Sequence, residues 1–265
     1  LEKAPQAKVI CSNPAARYVQ NILNRPVQIR TVENGEVIDL GGKSLQFFPA
    51  PFIHWPDTMM TYLPEERLLF TCDLFGAHFC DSHLFNDQIT RDTWPDFEHY
   101  FRSIMRPFKK SVRNALKKVD ELDFDIIAPS HGPILRSGLD KYLQAYQKWS
   151  EPLPQNDPRQ LLIYYASAYG NTEKMAAEIA RGATAAGVTV KVYDTMEISL
   201  LDHLDRIEAA DAIAIGSPTI NGDAVKPVWE FLASLATLDL KGKIGASFGS
   251  MGWSGEADSF IDQRL

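Results

Sequence analysis

The chain has 265 residues, of which 45% are hydrophobic and 23% charged, with a net charge of −7 from 34 acidic and 27 basic side chains. That length suits two domains of about 100–150 residues better than one. The acidic balance argues against a nucleic-acid partner, which would favour a basic face. Cys11, Cys72 and Cys80 are odd in number and form no C-x-x-C pair. A disulfide framework or structural zinc site is therefore not expected, and a reducing cytoplasm is the expected compartment. No apolar run approaches the roughly 18 residues of a membrane span, and no secretory signal opens the chain, so no membrane partner is expected.

In chain order, strands are expected over 8–11, 27–32, 37–40, 45–48, 59–63, 68–72 and 125–128. Asn34-Gly35 reads as a hairpin turn because both residues accept positive φ, and Pro64–Arg67 reads as another. Helices are expected over 14–23, over 94–119 with Pro107 as the point where it would break, and over 138–149. Strands in series followed by helices suggest a layered α/β sandwich. Residues 151–158 then bring three prolines, which can neither continue a helix nor enter a central strand. A linker is placed there, dividing a first domain, 1–150, from a second, 159–265.

Beyond the linker the rhythm is βαβαβαβ. Strands over 161–166, 188–193, 212–216 and 243–248 alternate with helices over 171–186, 204–209 and 227–235. Continuous apolar strands alternating with helices imply a parallel sheet covered on both faces. Three loops leave the carboxyl ends of these strands, where open α/β sheets bind ligands. The first, Ser167-Ala168-Tyr169-Gly170-Asn171-Thr172, runs into a helix and offers hydroxyls and backbone N–H groups to a phosphate. It is neither a Walker loop nor a G-x-G-x-x-G turn. The second is Ser217-Pro218-Thr219-Ile220-Asn221-Gly222 and the third Gly249-Ser250-Met251-Gly252-Trp253-Ser254-Gly255. Their glycines let backbone approach a flat ring, and Trp253 offers it an aromatic surface.

Together these loops resemble the flavodoxin family, whose phosphate loop takes the form Ser/Thr-x-x-Gly-x-Thr. The resemblance implies FMN, with its phosphate on 167–172 and its isoalloxazine between 217–222 and 249–255. It covers 160–265 and stops short of the fifth strand and last helix expected of that family.

In the first domain His54, Asp73 and His131 each stand just beyond an expected strand. Imidazole and carboxylate suit iron, zinc or manganese, and a carboxylate can bridge two ions. Their surroundings are His54-Trp55-Pro56-Asp57-Thr58-Met59, Asp73-Leu74-Phe75-Gly76-Ala77-His78 and Pro129-Ser130-His131-Gly132-Pro133. These resemble successive signatures of the flavodiiron proteins, or A-type flavoproteins, in which a metallo-β-lactamase-like αββα sandwich precedes a flavodoxin-like domain. The resemblance implies a non-haem di-iron site with His54 and His131 as terminal ligands and Asp73 as the bridge. It also implies electrons from a rubredoxin-like or other soluble donor, reduction of O2 to water or NO to nitrous oxide, and a head-to-tail homodimer or homotetramer.

The family's H-x-E-x-D-H motif is not found. The nearest match, His78-Phe79-Cys80-Asp81-Ser82-His83, has Cys and Ser at its carboxylate positions and follows His54 instead of preceding it. His78 is read as a residue supporting the ligands, His83 as loop, His99 as surface, and His203 as the unremarkable start of a polar helix. With Leu1 first and the fifth strand lacking, a chain shortened at both ends is the expectation. Two other functions remain open: a metal-dependent hydrolase with a fused flavodoxin, and an FMN electron carrier with an inactive metal domain.

Overall fold

The computed structural model describes residues 3–265. They form two compact units that divide between Glu151 and Pro152.

The first unit opens with β1 (Val9–Cys11) and α1 (Asn13–Leu23). The Ser12 hydroxyl caps α1 by accepting from Ala15 N–H, and Asn24 closes it in the left-handed region. β2 (Ile29–Thr31) pairs in parallel with β1. The main sheet takes β3 (Val37–Asp39), β4 (Ser44–Pro49), β5 (Met59–Leu63), β6 (Leu68–Cys72) and β7 (Ile126–Pro129) in sequence order. β3 to β6 are antiparallel neighbours, whereas β7 runs parallel to β6. A parallel pair needs a crossover, and here it contains α2 (Trp94–Tyr100) and α3 (Lys109–Val119). α4 (Leu139–Ser150) follows. Phe48, Met60, Leu69 and Ile127 of the sheet pack with Phe97, Met105, Val112, Leu116 and Tyr146 of the helices in one core.

One local expectation is corrected and another is met. Asn34-Gly35 is a turn, with Gly35 at φ +79°, but it joins no hairpin. β2 is committed to β1, so β3 turns the other way and pairs with β4 across Gly41 and Gly42, both at positive φ. The long helix is interrupted at Pro107 as expected, where a π-helical segment, Phe101–Met105, and a 3-10 turn, Arg106–Phe108, absorb the missing N–H.

The second unit comprises β8 (Gln160–Tyr165), α5 (Asn171–Ala185), β9 (Thr189–Asp194), α6 (Leu204–Ala209), β10 (Ala212–Gly216), β11 (Thr219–Ile220), β12 (Asp223–Ala224), α7 (Lys226–Leu235), β13 (Ile244–Phe248) and α8 (Glu256–Asp262). The four long strands are parallel in the order β13-β10-β8-β9. Strand order reverses between β8 and β10, which opens a crevice at their carboxyl ends. Alternation along the strands makes two cores. Leu162, Tyr164, Ile213 and Ile215 face α6, α7 and α8, whereas Ile163, Tyr165, Ala214 and Phe248 face Ala176 of α5. The segment before β8 is tied to this unit by Asp211. Its carboxylate accepts from Asn156 Nδ2 at 3.0 Å, Arg159 Nη1 at 3.0 Å and the Gln160 N–H at 2.8 Å. These bonds, led by that of Gln160, hold the carboxyl well below its ordinary range.

His203 departs from its expected role. It is 8% exposed, its Nδ1 lies 3.0 Å from the Tyr164 hydroxyl, and its ring meets Tyr193 edge-on at 4.5 Å. A polar-looking helix start hid an inward-facing ring because a short 3-10 turn, Leu200–His203, rotates it toward the sheet.

Candidate functional site

Sheet register gathers the three metal-type residues. β5 is antiparallel to β6, with Thr61 opposite Phe70, so the loop entering β5 lies at the end of β6. β7 is parallel to β6, with Pro129 opposite Cys72, so the loop leaving β7 lies there too. His54, Asp73 and His131 are carried by these three chain segments. Cys72 at φ +53° and Phe75 at φ +67° bend the chain around Asp73, and Gly132 at φ +82° bends it after His131. A Cβ at Gly132 would stand 2.9 Å from that of Ala77, so the two loops touch only because this residue is glycine.

Asp73 is 7% exposed. Its Oδ2 stands 3.6 Å from His54 Nε2 and its Oδ1 stands 3.5 Å from His131 Nε2. Both gaps are too long for hydrogen bonds. They are close to the roughly 3.4 Å between two donors of one tetrahedral ion with bonds near 2.1 Å. Each carboxylate oxygen thus faces a different imidazole, as the shared ligand of two ions would. Among the described residues no group of three or more His, Cys, Asp or Glu side chains is arranged to hold a single ion. Two donors per ion, with the carboxylate common to both, suit one shared edge of a two-ion centre and do not complete it.

Tyr100 covers this edge. It is 1% exposed, its ring is 6.1 Å from that of His131, and its phenol is raised first by burial and then by Asp73. Gly76 gives it room, since a Cβ there would lie 2.9 Å from the Tyr100 ring. In the sequence Tyr100 reads as one more apolar position on a helix, so this role was hidden. His78 packs edge-on against Tyr100 at 4.7 Å, one ring removed from His131. His83 is instead paired with Asp81 at 2.7 Å. A cavity of about 470 Å³ opens beside Asp73, lined by Tyr18, Ile22, Trp55, Met59 and Cys72.

In the second unit the three loops are bonded together at the crevice. Thr172 Oγ1 lies 2.9 Å from Ser250 Oγ, Ser217 N–H donates to Phe248 O, and Thr219 N–H donates to Ser250 O. Ser167 Oγ accepts from Glu173 N–H at 3.3 Å in the first turn of α5. Gly170 supplies the left-handed residue before that helix, and Asn171 is exposed at its start. Thr172, Ser217, Pro218 and Thr219 are buried, so they shape the loops from beneath. Ser217 Oγ donates to Pro218 O and accepts from Val225 N–H. Ile220, Asn221 and Gly222 form the tip between β11 and β12, with Asn221 at φ +55°. Tyr169, Met251 and Trp253 leave large apolar surfaces 87%, 67% and 57% exposed around the crevice. Gly252 has nothing closer than 3.8 Å to its missing Cβ, and Ser254 and Gly255 lead into α8. Open glycine backbone ringed by exposed apolar side chains fits a flat aromatic ligand such as a flavin. Gly249 serves the contact between loops, since a Cβ there would stand 2.1 Å from Ser217 O.

A β-lactamase-type sheet with a carboxylate between two imidazoles, followed by a doubly wound sheet with ligand loops at its switch point, defines a metallo-β-lactamase-like domain joined to a flavodoxin-like one. Residues 1–132 match the ODP family beta lactamase and residues 163–265 match the flavodoxin family. The type A flavoprotein fprA of Rhodobacter capsulatus is 46% identical across the whole chain, which spans 62% of that relative. The flavo-diiron protein FprA2 of Clostridium acetobutylicum is 41% identical, with 68% of its length spanned. A nitric oxide reductase of Moorella thermoacetica is 35% identical, with 67% spanned. Among solved structures, the rubredoxin oxygen:oxidoreductase of Desulfovibrio gigas superposes with a TM-score of 0.66 at 28% identity, over 97% of this chain and 65% of its own. The chain belongs to the flavo-diiron, or type A, flavoprotein family.

Proposed function

We propose that this chain is the part of a flavodiiron oxidoreductase that holds FMN and one shared edge of the di-iron centre, and that the whole protein reduces O2 to water, NO to nitrous oxide, or both. The observation that carries this reading is the placement of the Asp73 carboxylate between two imidazoles, one facing each oxygen. Relatives named nitric oxide reductase and rubredoxin oxygen:oxidoreductase support the two gases and a rubredoxin-like donor. When bound, FMN takes up electrons and iron supplies positions where a diatomic gas can be reduced, with zinc or manganese as chemically acceptable substitutes.

The residues would divide the work as follows. His54 and His131 hold one ion each and Asp73 joins them. Tyr100 closes the buried side of the site behind Asp73, and His78 supports Tyr100. The cavity lined by Tyr18, Ile22, Trp55 and Met59 gives an apolar gas a route to Asp73. In the second unit, Ser167, Gly170 and Asn171 receive the phosphate with the positive end of α5. Asn221, Gly222, Gly252 and Trp253 bracket the ring. A cytoplasmic setting and pairing of copies, as a homodimer or homotetramer, belong to the same proposal. No helix among the described residues is long and apolar enough to cross a membrane.

The test is anaerobic stopped-flow reoxidation of the full-length, iron-loaded, FMN-reduced protein. Faster reoxidation by O2 or NO than that of a metal-free control is expected. Equal rates with both gases would remove the proposal.

A further inference from the structure

A second, smaller notch lies in the first unit, between α3 and the chain that leads to His54. It has a volume of about 220 Å³ and two unlike walls. One wall is α3, presenting Lys110, Ser111, Asn114 and Lys118. The spacing i, i+1, i+4, i+8 puts these four on one helical face. The other wall is the chain leading to His54, presenting Pro49, Pro51 and Phe52. Phe52 is 49% exposed, a large apolar ring left in solvent.

The charge of the notch is unbalanced. No carboxylate lines it. Lys110 and Lys118 are the charged residues of its lining, in a chain whose net charge is −7. Lys118 is half-buried, and the neutral Pro49 carbonyl accepts from its Nζ at 2.6 Å. Burial alone drives its ammonium below the ordinary range, the response of a cation removed from water without a counter-anion in contact. An ammonium has three donors, so that bond leaves Lys118 able to bind another acceptor. Lys110, eight residues earlier on the same face of α3, stands exposed.

We infer that this notch is a binding site for a small organic oxyanion, specifically a phosphate monoester with a compact apolar body. The charged head lies between the Lys110 and Lys118 ammonium groups, with Ser111 and Asn114 as further donors. The body rests on Pro51 and Phe52. The head balances the buried charge of Lys118, and charge-assisted bonds of this kind are the stronger class. Because Lys118 already grips Pro49, an occupied notch ties α3 to the loop that carries His54. This site does not depend on the proposed gas chemistry.

The test is a titration of the full chain, saturated with FMN, with phenyl phosphate, followed by backbone-amide NMR and calorimetry. Saturable one-to-one binding is expected, with amide shifts at Ala50, Phe52 and Ser111. Affinity should fall at least about tenfold in Lys110→Ala, an exposed substitution that leaves the packing of α3 intact. Lys118→Met should abolish the shifts, and circular dichroism checks its fold. Inorganic phosphate should bind several-fold more weakly than the ester, because it leaves Phe52 uncovered. Lack of saturation up to about 10 mM, shifts confined to the loops of the second unit, or an unchanged affinity in Lys110→Ala would overturn the site. Equal affinity for inorganic phosphate would overturn the organic body.

Discussion

His203 shows how one side chain couples the flavodoxin-like unit to pH. Burial first, and then the Arg206 guanidinium, press its pKa below the ordinary value, against a small opposing pull from Asp202. Tyr164 and Tyr193 complete its surroundings without adding negative charge. An unfolded chain binds the proton near pH 6.5, whereas the folded chain binds it only at lower pH. The unfolded state therefore holds more protons below about pH 6.5, and stability falls as pH drops through that window. The melting temperature of the second unit should decrease between pH 7.5 and 5.5, and His203→Gln should flatten the decrease. A slope unchanged by His203→Gln would refute this. The residue is invisible to periodicity because Asp202 and Asp205 beside it mark the segment as solvent-facing.

Between elements, the account rests on contacts that only glycine permits. Gly249→Ala would drive a Cβ against Ser217 O at 2.1 Å, and that atom is backbone, so one of the two loops must move. A cost of about 1–3 kcal/mol is expected, the usual penalty of overpacking. FMN affinity measured by flavin fluorescence should fall with it. Unchanged affinity would show that the loops do not work as one cradle.

The same scale explains what the sequence disclosed. His54, Asp73 and His131 stood out through the motifs around them and not through spacing, and the sheet register brings all three to one end of β6. The parallel strands β8, β9, β10 and β13 were legible from unbroken apolar runs. Asn34-Gly35 misled because a turn dipeptide specifies local φ and not the partner of the next strand, which β1 decided. Tyr100 stayed hidden for a related reason, as did the close approach of Gly249 to another loop. Both come from contacts with distant residues, Gly76 and Ser217, that no local spacing reports.

At the scale of the molecule, the cores of the two units share no residue. Separate cores predict separate cooperative unfolding, since two-state behaviour belongs to the single domain. Scanning calorimetry should resolve two transitions. FMN at about 100 times its dissociation constant should add about 2.7 kcal/mol to the second unit and nothing to the first. A single transition shifted as a whole by FMN would contradict this division of labour.

The most direct test concerns Asp73, because its two oxygens face two different imidazoles. Anaerobic ferrous titration of the full-length protein, with iron counted per chain after gel filtration, should give two ions in the native protein. His54→Ala and His131→Ala should each chiefly weaken one. Asp73→Ala, which removes the ligand common to both, should lose both ions. If Asp73→Ala retains iron as the native protein does, the carboxylate is not the shared edge of a metal pair, and the functional reading built on it is wrong.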